Sequence, residues 1–286
     1  MITNHTDIAR LLPSFLYKIL AQNYVDYRFP RHIFIETTAN CNLTCEYCPR
    51  EKRTENMDYE LFKEIVNEAS EYGERSFSLH IFGEPLLYPR IIDAIGYIKS
   101  KNKRHTVLLT TNGTVLNKFA RQLEEVGVDR VIWSYRRNNF NQDSIRLLKS
   151  RGLIRLLIEE TPKEEFEKWS KFPRVEIKHL HNYGGQIDLS KWKVEEPELL
   201  NRRWPCYHLW LAPAVRWNGE IVECCNLPTA GEDVLGRYGE SSLGEVWRGS
   251  GIRQLREDHL NGIYPGKCKG CNSWKAYPDM GIKRVV

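Results

Sequence analysis

Apolar residues recur at helical spacing in the first stretch of the chain, at Ile8, Leu11, Leu12, Phe15, Leu16, Ile19 and Leu20. The spacing predicts one or two helices, interrupted near Pro13, because proline lacks the N–H that a helix interior needs. From about residue 31 the period changes. Short apolar runs predict strands at Ile33–Glu36, Phe77–Phe82, Val107–Thr110, Arg130–Trp133, Ile154–Ile158 and Val175–Lys178, with helix-period segments between them. The clearest of these helices begins at Tyr59 behind Asp58 as N-cap, and its pattern buries Leu61, Phe62, Ile65, Val66 and Ala69. Six βα repeats predict a parallel sheet with right-handed crossovers. A closed barrel of this type has eight units, so six predict an α/β fold with an open, partial (β/α)6 barrel.

Beyond about Arg203 the pattern changes again. The run Ala214-Val215-Arg216-Trp217-Asn218-Gly219-Glu220-Ile221-Val222 sets an Asn-Gly turn between β-prone stretches, which predicts a hairpin. Helices are expected near Leu243–Trp247 and Ile252–His259. Three regions result: a helical extension at 1–30, a barrel at 31–205 and a small hairpin-plus-helix domain at 206–286.

Composition narrows the class. At 41% hydrophobic and 28% charged residues, the chain matches ordinary globular proteins, and no apolar run is long enough for a transmembrane helix. The N-terminus lacks the basic-then-apolar pattern of a secretion signal. Eight cysteines without such a signal read as metal ligands rather than disulfides, and a cytoplasmic location is expected. The charge of +5, from 42 basic and 37 acidic residues, is too mild to expect a nucleic-acid partner. Arg136-Arg137 and Lys101-Asn102-Lys103-Arg104 read as solvated loop ends.

The cysteine spacing carries the chemistry. Cys41, Cys45 and Cys48 offer three thiolates within one loop after the first strand. A structural zinc site wants four ligands and is closed. A four-iron cluster is usually held by four thiolates, so three would leave one iron open to a small molecule. Phe82-Gly83-Glu84-Pro85 and Thr110-Thr111-Asn112-Gly113-Thr114 also follow strand-like runs. Together these motifs resemble the radical S-adenosylmethionine (SAM) superfamily, whose core is an open six-strand barrel with its site at the C-terminal strand ends.

The resemblance implies a [4Fe-4S] cluster on Cys41, Cys45 and Cys48, with SAM chelating the open iron through its amino and carboxylate groups. Tyr47 stands where the family has an aromatic residue. Gly83, Glu84 and Pro85 match a Gly-Gly-Glu-Pro motif that contacts the SAM amino group, with Phe82 in place of the first Gly. Thr110, Thr111 and Asn112 would meet the ribose or carboxylate. Ser134 matches a ribose-binding Ser, although Tyr135-Arg136-Arg137 replaces the usual Ile-Asp-Gly. Adenine is expected near Tyr47 and the segment from Asn182 to Gly185.

The tail pattern Cys206-x12-Gly219-x4-Cys224 followed by Cys268-x2-Cys271 is similar to a twitch domain, the shortened relative of the SPASM domain. This implies a second [4Fe-4S] cluster; the same four thiolates would also suit a structural zinc. Cys225 is left over, as a buried small residue, a hydrogen-atom donor or a spare ligand. The size and single extra cluster resemble the aminocyclitol alcohol dehydrogenases of aminoglycoside biosynthesis. That implies a small-molecule alcohol, an electron passed to the second cluster, and a flavodoxin- or ferredoxin-type donor. Candidates to take the hydroxyl proton are Arg155, Glu159, His179 and His181, each of which also reads as structural or solvent-facing. Rival readings are peptide modification, redox-neutral chemistry on a sugar nucleotide or nucleobase, and a redox scaffold. An embedded peptide-recognition module is not expected before Arg31, and the intact triplet and Glu84 speak against a scaffold.

Overall fold

The protein is described by a computed structural model. It describes residues 28–273, apart from 137–139, 193, 195–202, 204, 207 and 228–230. The expected N-terminal helices, at Ile8 to Leu20, lie outside the described residues.

Six parallel strands form the core in the order β6-β5-β4-β3-β2-β1. They are β1 (His32–Ile35), β2 (Ser76–Ser78), β3 (Thr106–Thr111), β4 (Arg130–Ser134), β5 (Gly152–Leu157) and β6 (Val175–Lys178). Helices α1 (Tyr59–Glu71), α2 (Ile91–Lys101), α3 (Leu116–Val126), α4 (Gln142–Arg151) and α5 (Lys163–Trp169) connect them. This is the partial barrel expected from the six repeats. At the head of α1, Asp58 accepts from the backbone N–H groups of Glu60 (2.9 Å) and Leu61 (3.1 Å), a cap that contributes about 1 kcal/mol. Phe62, Ile65, Val66 and Ala69 of α1 are buried, whereas Leu61 is half-buried against the core's edge.

Strand alternation decides which residues reach the barrel interior. In β5, Ile154 and Leu156 pack outward into the hydrophobic core, so Arg155 points inward. The register pairs Ser134 with Arg155 and Arg155 with Glu176, setting polar side chains side by side on the inner face.

Strand β2 is shorter than the expected Phe77–Phe82. Its ladder ends soon after Ser78, with a last bond from Leu79 N–H to the Leu108 carbonyl. Residues 80–83 leave the sheet because Gly83 passes directly over the chain at Thr38 and Asn40.

The predicted hairpin is present as β7 (Ala214–Val215) antiparallel to β8 (Glu220–Val222), with Gly219 at φ +83° in the turn. Strand β7 also pairs in parallel with β1, so the tail extends the barrel sheet. A strand not expected from the sequence, β9 (Val234–Arg237), pairs with β8. Helix α6 (His208–Leu211) precedes the hairpin, and α7 (Leu243–Arg248) and α8 (Ser250–Leu260) follow it. Among the described residues, no helix is long and apolar enough to cross a membrane.

Candidate active site

A central cavity of about 380 Å³ opens at the C-terminal strand ends. Cys41, Cys45 and Cys48 all line it, with Tyr47, Gly83, Glu84, Thr110, Thr111, Asn112 and Ser134. The triplet loop is held by Arg50, which donates to the carbonyls of Cys41 (3.1 Å) and Leu43 (2.9 Å). Asn112 donates to Asn42 Oδ1 at 2.9 Å, tying that loop to the end of β3. Burial raises the thiol pKa of Cys41 and Cys48. Both therefore favour the neutral thiol until a cation offsets the cost of the buried thiolate.

Glu84 is 2% exposed. Its carboxylate accepts from Thr111 Oγ1 (2.7 Å), Asn112 N–H (2.7 Å) and Leu86 N–H (3.2 Å). Burial nevertheless pushes its carboxyl up to about 7, and an ammonium beside it would favour the ionised form. Two buried oxygens on the same wall, Thr110 Oγ1 and Tyr47 Oη, have no hydrogen-bond partner among the described residues. A polar ligand in this cavity would satisfy both. Phe82 occupies the place of the family's first Gly, and its ring lies 5.7 Å from that of Tyr183 on the same wall. It is not among the described residues with positive φ, so that position needs no glycine here.

The tail thiols divide cleanly. Cys206, Cys224, Cys268 and Cys271 line a second pocket, whereas Cys225 lines the central cavity. Backbone N–H groups of Asn226 and Ser273 point at the sulfurs of Cys224 and Cys271, both at 3.3 Å. Such N–H···S bonds stabilise thiolates and tune the potential of iron–sulfur clusters. Burial raises the Cys206 thiol, and that of Cys268 to about 12, so these groups too fit a cationic occupant. Among the described residues no three His, Cys, Asp or Glu side chains converge around a single ion. The thiols stand instead around pocket walls. His208, Asn226 and Ser273 belong to both pockets, which therefore share a wall.

This division predicts different outcomes for two adjacent substitutions. After anaerobic reconstitution, Cys224→Ser should lower bound iron by up to about four per chain, whereas Cys225→Ser should leave it at the wild-type level. Iron and sulfide analysis reads both.

Two expected site residues lie elsewhere. Asn182 is off the cavity wall. Its N–H donates to Asn272 Oδ1 (2.8 Å), its amide donates to the Gly270 carbonyl (2.7 Å), and its Oδ1 accepts from Asn272 N–H (3.1 Å). It fastens the Cys268–Cys271 loop to the barrel. Gly184 and Gly185 face Lys267 and Gly270 of that loop, leaving Tyr183 as this segment's contribution to the cavity. Glu159 is also behind the wall. It accepts from His179 Nδ1 (2.7 Å) and Leu180 N–H (3.0 Å). Arg155, His179 and His181 do line the cavity. So do Arg136, His80, Lys178 and His208, which the sequence reading did not select. Arg136 is no solvated loop end: its guanidinium lies 4.9 Å from the Tyr47 ring centroid.

Comparison with known families agrees with this geometry. The model of the radical SAM superfamily matches residues 35–134. Residues 35–134 form a radical SAM domain. An iron–sulfur cluster-binding domain of the SPASM type matches residues 206–272, so iron–sulfur rather than zinc accounts for the tail thiols. The radical SAM domain thus holds a [4Fe-4S] cluster and SAM, and the tail holds an additional iron–sulfur cluster.

Among curated proteins, a probable GTP 3′,8-cyclase of Methanococcus maripaludis is 38% identical over 105 residues, 35% of each chain. The match therefore spans about a third of that cyclase's length. The S-adenosyl-L-methionine-dependent 2-deoxy-scyllo-inosamine dehydrogenase of Niallia circulans is 26% identical over 260 residues, 84% of this chain and 92% of the relative. Among solved structures, BtrN in complex with AdoMet and 2-DOIA superposes with a TM-score of 0.64 at 22% identity, covering 85% of this chain and 93% of BtrN. SuiB of Streptococcus suis bound to precursor peptide SuiA also gives 0.64, at 14% identity, covering 96% of this chain and 76% of SuiB. These superpositions establish a shared fold.

Proposed function

We propose that this radical SAM protein is an oxidoreductase that dehydrogenates a hydroxylated small molecule, a sugar or cyclitol, with the tail cluster as electron acceptor. The observation that carries the reading is the wall shared by the two thiol-lined pockets, which puts Cys206, Cys224, Cys268 and Cys271 next to the central cavity. The dehydrogenase relative, aligned over nearly its whole length, supports it. When loaded, the triplet cluster and SAM would supply the radical chemistry for hydrogen-atom abstraction, directed in this reading at the carbon bearing the hydroxyl.

The chain's own residues then hold the reactants and move one proton. Glu84 offers its carboxylate to the SAM ammonium, and Tyr47 and Thr110 offer their unpartnered oxygens. The alcohol must lose one hydrogen atom, one proton and one electron to become a ketone. Among the imidazoles on the wall, His179 is the best placed to take the proton. Its Nδ1 faces the Glu159 carboxylate at 2.7 Å, which fixes the proton on Nδ1 and leaves Nε2 as an acceptor. His80 is excluded from that role in the neutral state, because its Nδ1 already accepts from Thr110 N–H at 3.3 Å and its Nε2 carries the proton. A flavodoxin- or ferredoxin-type protein would supply the initiating electron.

The test is anaerobic turnover of reconstituted protein with SAM, reductant and a panel of polyols. The reading expects ketone and 5′-deoxyadenosine in equal amounts. A product isomeric with its substrate, at the same redox level, would replace dehydrogenation by redox-neutral chemistry.

A further inference from the structure

The lining of the central cavity carries a group of basic side chains. Arg155 within β5, Lys178 at the end of β6 and Arg136 after β4 all line it. Among the described residues on the same wall, the carboxylate is Glu84, already engaged by Thr111, Asn112 and Leu86. Arg155 and Lys178 share one carboxylate behind them. Arg155 Nε lies 2.6 Å from Glu176 Oε2, and Lys178 Nζ lies 3.1 Å from Glu176 Oε1. Two cations on one carboxylate leave an excess positive charge at an enclosed position. The two terminal nitrogens of Arg155 make no hydrogen bond to another described residue.

His80 adds a neutral donor, since its Nδ1 accepts from Thr110 and its Nε2–H remains. An unbalanced buried charge is costly unless a counter-charge completes it. Burial and the neighbouring Arg155 charge lower the Lys178 pKa even though Glu176 pairs with it, because that one carboxylate is shared between two cations.

We infer that the substrate carries an oxyanion, a carboxylate or phosphate on the hydroxylated molecule, held by Arg155 and Lys178 with His80 as a neutral donor. The inference rests on reading the cavity as a substrate site. It departs from the aminocyclitol of the dehydrogenase relative, because an ammonium would face like charges here. Glu176 is a positioning residue: it aligns the two cations while cancelling one of them.

The test is equilibrium binding under anaerobic conditions, by calorimetry, to reconstituted protein saturated with SAM and without reductant. Glucuronate and glucose 6-phosphate are the carboxylate and phosphate probes, glucose the neutral one and glucosamine the cationic one; inorganic phosphate serves as competitor. At least one anionic sugar should bind about tenfold or more tighter than glucose and glucosamine, and the tighter of the two names the oxyanion. Lys178→Gln should weaken that probe about tenfold and leave glucose unchanged, with iron content as the folding control. Glu176→Gln should tighten it instead, a sign that a merely structural role would not give. Preference for glucosamine, failure of every anion to bind, or parallel losses for all probes in Lys178→Gln would overturn the inference. None of these outcomes involves turnover, so they leave the dehydrogenation reading to its own assay.

Discussion

A variant with Cys41, Cys45 and Cys48 all replaced by alanine is expected to release no 5′-deoxyadenosine from SAM under reducing conditions. It should still retain about four irons, against about eight in the wild type. The separation follows from the geometry. The three loop thiols line the central cavity, whereas Cys206, Cys224, Cys268 and Cys271 line the second pocket. Removing the first set leaves the N–H···S bonds at Cys224 and Cys271 untouched. The loss of chemistry should be complete, since no other described cysteine shares that loop and the open coordination position goes with it. Product analysis by chromatography, paired with iron and sulfide assays, checks both halves. Loss of all iron in the triple variant would mean that the two sites do not fill independently.

Gly83→Ala is expected to weaken SAM binding by about two orders of magnitude, because the added methyl has no place to go. A Cβ at Gly83 would lie 1.9 Å from the Thr38 carbonyl oxygen and 3.0 Å from that of Asn40, both backbone atoms. The neighbouring Glu84 N–H donates to the same Asn40 carbonyl at 2.7 Å, so relief by moving Gly83 would pull Glu84 from its place. Moving Thr38 to Asn40 would shift the entry to the cysteine loop at Cys41. Gly73→Ala serves as the control. Gly73 has φ +87° but open space where its Cβ would be. That substitution should cost about 1 kcal/mol of stability and leave SAM affinity unchanged. Equilibrium SAM binding and thermal unfolding of the two variants separate the outcomes. Wild-type affinity in Gly83→Ala would show that the close approach does not shape the SAM loop.

Much of this site was legible in the sequence because its parts are local. A three-cysteine loop, a Gly-Glu-Pro turn and a Thr-Thr-Asn-Gly turn each sit within a few residues, directly after a strand, and strand ends in such a barrel face the site. The Asn-Gly hairpin was equally local. What escaped depends on register and long-range pairing. Lys178 reaches the cavity because it lies on the inward face at the end of β6, where a shift of one residue would have turned it into the core, and His80 because the chain leaves the sheet after β2. Glu159 and Asn182 occupy plausible positions after β5 and β6, yet one bonds back to His179 and the other across to Asn272. Nothing in the neighbouring sequence marks either partner. Strand β9 escaped for a similar reason. It is four residues long, with half-buried and exposed positions, and β8 supplies its ladder. The role of Arg136 was hidden because its Tyr47 partner is far away in sequence.

The central claim is that one chain holds two clusters and that only the one on Cys41, Cys45 and Cys48 meets SAM. Electron paramagnetic resonance of the dithionite-reduced wild type, recorded with and without SAM, tests it most directly. The account predicts two overlapping signals from reduced clusters, of which SAM shifts one and leaves the other in place. A single signal, or two signals that SAM leaves unchanged, would contradict it.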